Sequence, residues 1–244
     1  VFKEQVIDNF ADEYFKGRTP NPCVRCNSFV KWDAFIEQAD NLGADFIATG
    51  HYAIIDELDG EKVIKPGKDT KKDQSYVLWG IPKDTLDRTI LPLGDLTKPQ
   101  VRDIARAHSL ETAEAPESME ICFVADNNYK RFLERYVPER MDAIPEGKIK
   151  DEENNEIGTH PGYTHFTVGQ RKGVGLSFPE PRYVKSIDSE SNTIVISRKK
   201  SLYSRKCYVS NLNWLRKNIT FPMEADCQIR YNSKKVLSKC TFKD

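Results

Sequence analysis

The stretch Gly17-Arg18-Thr19-Pro20-Asn21-Pro22-Cys23-Val24-Arg25-Cys26-Asn27 sets two thiols three positions apart. A Cys-x-x-Cys pair serves as a redox couple, as half of a metal or cluster site, or as a nucleophile with a helper. Its plain alternative is two cysteines packed as small hydrophobes. Pro20 and Pro22 fix φ and push the preceding residues toward extended backbone, so the segment is expected to be a shaped loop and not a helix. A third thiol, Cys122, sits in the strand-like run 118–124, where by itself it reads as core. His51 follows Gly50; the glycine lets a ligand approach the backbone, whereas the histidine taken alone reads as a surface residue. Arg171 and Lys172, held between Gly169 and Gly173, suit phosphate contact.

The elements that must position these residues follow from periodicity. Residues 1–16 fit a short helix ending at Gly17. Ser28 is the expected cap of a helix in which Phe29, Trp32, Phe35, Ile36, Ala39 and Leu42 recur at three- and four-residue spacing, with Gly43 ending it. The apolar run 44–52, stopping at Gly50-His51, then reads as a buried strand. Helix followed by such a strand predicts an α/β fold with a doubly wound parallel sheet and ligands beyond the carboxyl ends of its strands. Residues 56–72 read as a hairpin or loop. Asp73 is the expected cap of a short helix carrying Tyr76, Val77 and Leu78. Thr97 and Gln100 form a capping box for a helix through His108, with Val101, Ile104 and Ala105 facing inwards. Asp126 caps a helix with Tyr129, Phe132, Leu133 and Tyr136 on one stripe, stopped by Pro138. Beyond it, Tyr183–Ile187 with Thr193–Ser197, and Ala225–Tyr231 with Lys235–Phe242, read as β-hairpins.

The 244 residues suggest two or three domains, expected at 1–137, 138–203 and 204–244. With 39% hydrophobic and 30% charged residues the composition is that of a globular protein in water. No apolar run approaches the roughly 20 residues of a membrane helix, and no signal-peptide pattern opens the chain. Membrane residence is therefore not expected, and the cytoplasm is the default location. Six cysteines without such a signal favour catalysis or metal binding over a disulfide scaffold, with Cys207, Cys227 and Cys240 expected to pack in sheets. The net charge is zero, yet residues 171–244 hold 16 Lys and Arg against 6 Asp and Glu. That basic third would attract a polyanion such as RNA, although a solvated charged face has the same composition.

Six stretches, in order across nearly the whole chain, resemble the tRNA-specific 2-thiouridylases, a family that places sulfur on C2 of the wobble uridine. They are Gly-Arg-Thr-Pro-Asn-Pro with Cys26-Asn27, Ala48-Thr49-Gly50-His51-Tyr52-Ala53, Lys72-Asp73-Gln74-Ser75-Tyr76, Leu91-Pro92-Leu93-Gly94, Ile121-Cys122-Phe123, and Gly169-Gln170-Arg171-Lys172-Gly173. The resemblance implies a Rossmann-like ATP-pyrophosphatase domain of the adenine nucleotide alpha hydrolase type, a small central domain and a C-terminal β-barrel. The family's opening strand and Ser-Gly-Gly-x-Asp-Ser phosphate loop are not in this sequence, and the chain stops in what reads as a barrel strand. It is therefore read as a fragment, expected not to bind ATP tightly by itself.

Residue by residue, the resemblance implies that Cys26 is the attacking nucleophile and Cys122 the persulfide carrier. It puts Gly50 at the nucleotide site and His51 at a tRNA contact beside it. Asn21, Pro22 and Cys23 fall where the loop meets the target base, and Lys72, Asp73, Gln74, Arg230 and Tyr231 on tRNA-contacting segments. The implied reaction uses ATP with Mg2+ to adenylate the uridine C2 oxygen. A Cys122 persulfide, loaded by a sulfur-relay protein or cysteine desulfurase, then supplies sulfur, and Cys26 cleaves the resulting bridge to leave a Cys26–Cys122 disulfide. Arg25 and Arg18 are the local cations that would favour thiolate.

Two departures from the family pattern matter. Many relatives have Asp where this chain has Cys23, and Cys23, Cys26 and Cys122 together would supply three thiolates to a [4Fe–4S] cluster with an open iron, an alternative route to the same product. Met119 stands where relatives usually have Gln. A non-catalytic reading also remains, a zinc knuckle in an RNA-binding module using the three thiols and His51. A thioredoxin-like use of Cys23 and Cys26 lacks the following βαβ order.

Overall fold

Trp32 is the largest fully buried side chain, and its indole N–H donates to the Thr89 hydroxyl at 2.9 Å, so its burial leaves no donor unsatisfied. Around it gather Ala39, Ile47, Ala53, Leu78, Ile81 and Leu86, the core of one of two compact units. The computed structural model describes residues 1–115 and 121–242. One unit comprises residues 1, 23–117 and 211–244; the other comprises 2–22 and 118–210. Met119 lies outside the described residues.

In the first unit a continuous helical segment runs through Pro22–Arg25, a π-widened middle Cys26–Ala34, and Phe35–Asn41. The helix thus starts six residues before the expected Ser28 cap. Ser28 instead lies inside it, buried, its hydroxyl donating to the Val24 carbonyl at 3.0 Å. Gly43 closes the segment at φ +66, as its position predicts. The strand expected over 44–52 is confined to Ile47–Ala48, which pairs in parallel with Thr89–Ile90. Hairpin strands Ala53–Leu58 and Glu61–Pro66 turn at Asp59 and Gly60, both with positive φ, the signature of a type I′ turn.

Gly94 packs so closely on the first of these strands that a Cβ would lie 2.2 Å from the Ala53 carbonyl oxygen, which only glycine permits. The helix Lys98–Ala107 begins with the expected capping box, the Gln100 side chain accepting the Thr97 N–H at 2.8 Å. Its inward stripe is weaker than the periodicity predicts: Ile104 is exposed, and no residue of this helix is buried. Strands Met223–Cys227 and Val236–Cys240 form the second expected hairpin, slightly shorter than read from sequence. Cys227 and Cys240 lie in those strands, but Cys207 is exposed in an irregular stretch and packs in no sheet.

In the second unit, the helical run Lys3–Asp8 and Asn9–Phe15 ends in a Schellman arrangement. Gly17 stands at φ +68, with the Arg18 N–H on the Glu13 carbonyl at 2.9 Å. Phe10, Ala11 and Tyr14 pack with Val124, Leu133 and Met141. The helix Tyr129–Tyr136 is capped by Asn128, which accepts from the Arg131 N–H, not by Asp126, whose carboxylate instead accepts the Asn128 N–H. Pro138 interrupts this helix and opens the next, Pro138–Asp142, because a first-turn position needs no N–H. A four-stranded sheet follows in the order Glu156–His160, Gly147–Lys150, Thr193–Ser197, Tyr183–Asp188, with the central pair parallel. Ile149, Val184, Ile194 and Ile196 form its core with Tyr163 and Phe166. No helix among the described residues is long and apolar enough to cross a membrane.

Candidate functional site

Cys23 and Cys26 lie at the start of the 22–41 helix, one turn apart, with Cys23 exposed and Cys26 half-buried. This corrects the expectation of a loop through Cys26: the loop ends at Asn21. Pro22 is compatible with a first helical turn, and the constraint it imposes falls on the residue before it. Both thiols sit within the first turns of this helix. The two arginines expected to assist are otherwise engaged. The Arg25 guanidinium lies over the Phe29 ring at 4.3 Å, and the Arg18 side chain bonds Glu13 at 2.6 Å. Asn27, buried beside Cys26, ties this helix to the 75–78 turn through its amide N–H on the Val77 carbonyl at 3.0 Å.

The first unit brings three of the six sequence motifs into contact. Tyr52 and Gln74 exchange two hydrogen bonds, Tyr52 N–H to Gln74 Oε1 at 3.0 Å and Gln74 N–H to the Tyr52 carbonyl at 2.9 Å. Asp73 accepts the Gly67 and Ser75 N–H groups, both at 3.0 Å, and so organises the turn that presents Lys72. Leu93 lies against Gly50, an exposed glycine just past the strand Ile47–Ala48. From the far end of the chain, the Tyr231 hydroxyl donates to the Asp73 carbonyl at 3.3 Å, and its ring stands 6.0 Å from that of Tyr76. Tyr76 in turn donates to the Ile229 carbonyl at 3.3 Å. Arg230 and Tyr231 are exposed. The motif residues Lys72, Asp73 and Gln74 and the pair Arg230-Tyr231 therefore share one surface region of this unit.

His51 is buried, not a surface side chain. Lys31, on the cysteine helix, approaches Nε2 at 3.3 Å, and Thr49 Oγ1 approaches Nδ1 at 2.9 Å. An ammonium can only donate, so Nε2 accepts and Nδ1 carries the proton toward Thr49. Burial first, and the Lys31 charge second, push the imidazole down to about 4, leaving it neutral at physiological pH. Lys31, Thr49 and Tyr76 were not singled out as site residues by the sequence motifs. Lys31 carries no motif signal; its role emerges only from the packing of the cysteine helix on the 49–51 segment.

In the second unit, Cys122 is exposed on a turn closed by the Val124 N–H on the Ile121 carbonyl at 2.9 Å. The strand expected over 118–124 is therefore absent at 121–124, while 118–120 fall outside the described residues. Phe123 explains the turn: its ring meets Phe10 edge-on at 5.2 Å and Phe132 at 5.3 Å, and Val124 is buried. These neighbours hold the turn and leave the thiol outward, so the core reading of Cys122 is set aside. Asn21 is exposed and Pro22 buried. Arg171 and Lys172 are exposed on a loop pinned by the Gly169 N–H on the Val184 carbonyl at 2.7 Å.

Among the described residues, no group of three or more Cys, His, Asp or Glu side chains is gathered so as to hold a metal ion. Both His51 nitrogens are already engaged, so His51 does not fit the fourth place of a zinc knuckle.

Matches to known families agree with this architecture. The tRNA methyl transferase HUP domain matches residues 1–126, and the tRNA methyl transferase PRC-barrel domain matches residues 130–198. The chain is thus an α/β protein with a Rossmann-like nucleotide-binding HUP domain followed by a PRC-barrel domain. The tRNA-specific 2-thiouridylase MnmA of Chlorobium luteolum is 47% identical over 99% of this chain and 65% of its own length. That of Carboxydothermus hydrogenoformans is 46% identical over 96% of the chain and 64% of its length. For Chlorobium phaeobacteroides the figures are 44%, 99% and 67%. The chain belongs to the tRNA-specific 2-thiouridylase family, and it spans about two thirds of the length of these relatives.

Proposed function

We propose that this chain carries the sulfur-transfer and RNA-contacting part of an ATP-dependent tRNA-uridine 2-sulfurtransferase acting at C2 of the wobble uridine. The observation that carries the reading is the meeting of His51-Tyr52, Lys72-Asp73-Gln74 and Arg230-Tyr231 in one unit. That its relatives are tRNA-specific 2-thiouridylases supports the substrate and the reaction.

The chemistry follows from the carbonyl. A uridine C2 oxygen leaves poorly until it is esterified, and adenylation turns it into departing AMP, with ATP and Mg2+ as the substrate pair. Gly50, exposed past a parallel strand, suits close approach of a nucleotide. Exposed Cys122 suits loading by a protein donor, a sulfur-relay protein or cysteine desulfurase. Its terminal persulfide sulfur attacks C2, AMP departs, and the new C2–S–S–Cys122 bridge forms. The Cys26 thiolate then attacks the Cys122 sulfur; the bridging S–S bond breaks, the thiouridine sulfur leaves with the electron pair, and a Cys26–Cys122 disulfide remains for a cellular dithiol to reduce. The target base must leave its stack, which a loop nucleotide does at low cost.

The test is nucleoside analysis of tRNA exposed to the full-length protein. Cys122→Ala and Cys26→Ala are expected to bind tRNA normally yet yield no 2-thiouridine. Unchanged thiolation in Cys122→Ala would end the assignment.

A further inference from the structure

One strongly charged feature reaches well beyond the motifs of the site, touching them only at Lys72. The helix Lys98–Ala107 carries Lys98, Arg102 and Arg106 four residues apart, hence on one face. Across a cleft of about 770 Å³ that face meets a turn bearing Lys68, Lys71 and Lys72. The cleft lining holds these six cations and two carboxylates, Asp69 and Asp103. Both carboxylates are committed within the protein. Asp69 accepts the Lys98 N–H at 3.0 Å and the Lys71 N–H at 3.1 Å, which ties the two walls together and fixes their separation. Asp103 is held by Arg106 at 2.6 Å, and Arg106 also bonds Glu114 at 2.6 Å. Concentrated like charge on a fixed frame raises the free energy of the folded chain by self-repulsion, and a bound polyanion relieves it.

The position of the cleft selects the polyanion. Its turn continues directly into Asp73 and Gln74, and the Asp73 carbonyl holds the Tyr231 hydroxyl. A basic groove running toward the exposed Tyr231 ring and the half-buried Tyr76 is an arrangement that can track a sugar–phosphate backbone while a base stacks alongside. We infer that the cleft between the 68–72 turn and the Lys98–Ala107 helix binds the phosphodiester backbone of the RNA, next to the nucleotides that meet Tyr231 and Tyr76. This rests on the tRNA reading above and extends it to Lys68, Lys98, Arg102 and Arg106.

The experiment measures affinity of the full-length protein for labelled unmodified tRNA by fluorescence anisotropy across a potassium chloride series. Each phosphate contact contributes roughly 0.7 to 0.9 to the log–log salt slope. The Lys68→Gln/Arg102→Gln double variant is expected to bind about tenfold more weakly at low salt, with a slope shallower by about 1.5. Arg102→Lys, which keeps the charge, is expected to retain the parent slope, and matching thermal unfolding confirms that the variants fold. A parent that binds and thiolates tRNA beside a double variant with unchanged slope and affinity overturns the cleft inference alone. A parent that binds no tRNA overturns both readings.

Discussion

The Tyr231 hydroxyl reaches the carbonyl of Asp73 across 158 positions of sequence, with the Tyr76 ring 6.0 Å from its own. One weak neutral hydrogen bond is worth about 1 kcal/mol at most, so the contact registers the hairpin more than it stabilises the unit. Its consequence is an exposed Tyr231 ring, backed by the half-buried Tyr76, beside Lys72 and Arg230. Stacking of a base on such a ring contributes about 1–3 kcal/mol. Tyr231→Ala is expected to weaken tRNA binding by that amount in an equilibrium titration, and Tyr231→Phe to retain most of it. Equal affinities for all three proteins would remove Tyr231 from the interface.

His51 gives a pH signature. Its imidazole is pushed down to about 4 by burial and by Lys31, whereas the unfolded chain holds an ordinary histidine near 6.5. Below pH 6.5 the unfolded state takes up a proton that the folded state refuses. Stability is therefore lost progressively as pH falls from 6.5 to about 4, by about 3 kcal/mol over the window. Urea unfolding at pH 7 and pH 5 is expected to show a smaller loss in His51→Gln than in the parent. An identical loss would mean that His51 titrates normally.

Two glycines should differ in their tolerance of a methyl group. At Gly94 a Cβ meets the Ala53 backbone carbonyl at 2.2 Å, and neither strand nor turn can give way cheaply. At Gly80 the closest atom is the Ser28 hydroxyl at 2.5 Å, which belongs to a side chain. Gly94→Ala is expected to cost at least the roughly 1–3 kcal/mol of overpacking. Gly80→Ala should cost less, and adding Ser28→Ala should recover part of it. A double-mutant cycle by chemical denaturation measures this; strict additivity at positions 28 and 80 would contradict the contact.

Periodicity and capping made several elements legible: the Thr97–Gln100 box forms, the stretch 56–72 read as a hairpin or loop contributes to a hairpin that begins earlier, at Ala53, and Tyr183–Ile187 pairs with Thr193–Ser197. The errors share a cause, local rules outweighed by packing. Proline rules suggested a loop through Cys26, yet Pro22 opens a helix because a first-turn residue needs no N–H. Ile121 to Val124 has strand-like composition, but Phe123 finds Phe10 and Phe132 from a turn. The motif residues around Gly50, Gln74 and Tyr231 were readable from resemblance, whereas their mutual contacts were not. Lys31 shows the limit: its meaning lies in a 3.3 Å approach to His51 from a helix 20 positions earlier, which no local pattern encodes.

The central claim, that sulfur passes through Cys122 and is released by Cys26, is tested most directly in a single turnover. Full-length protein carrying a 35S-labelled persulfide would be mixed with ATP and unmodified tRNA, quenched by alkylation, and its peptides and nucleosides resolved by mass spectrometry. The account predicts label leaving the Cys122 peptide for 2-thiouridine while a Cys26–Cys122 disulfide appears in equal amount, and label stalled in a Cys122–tRNA adduct in Cys26→Ala. Label reaching tRNA with Cys122 never modified, or with Cys26→Ala turning over normally, would contradict it.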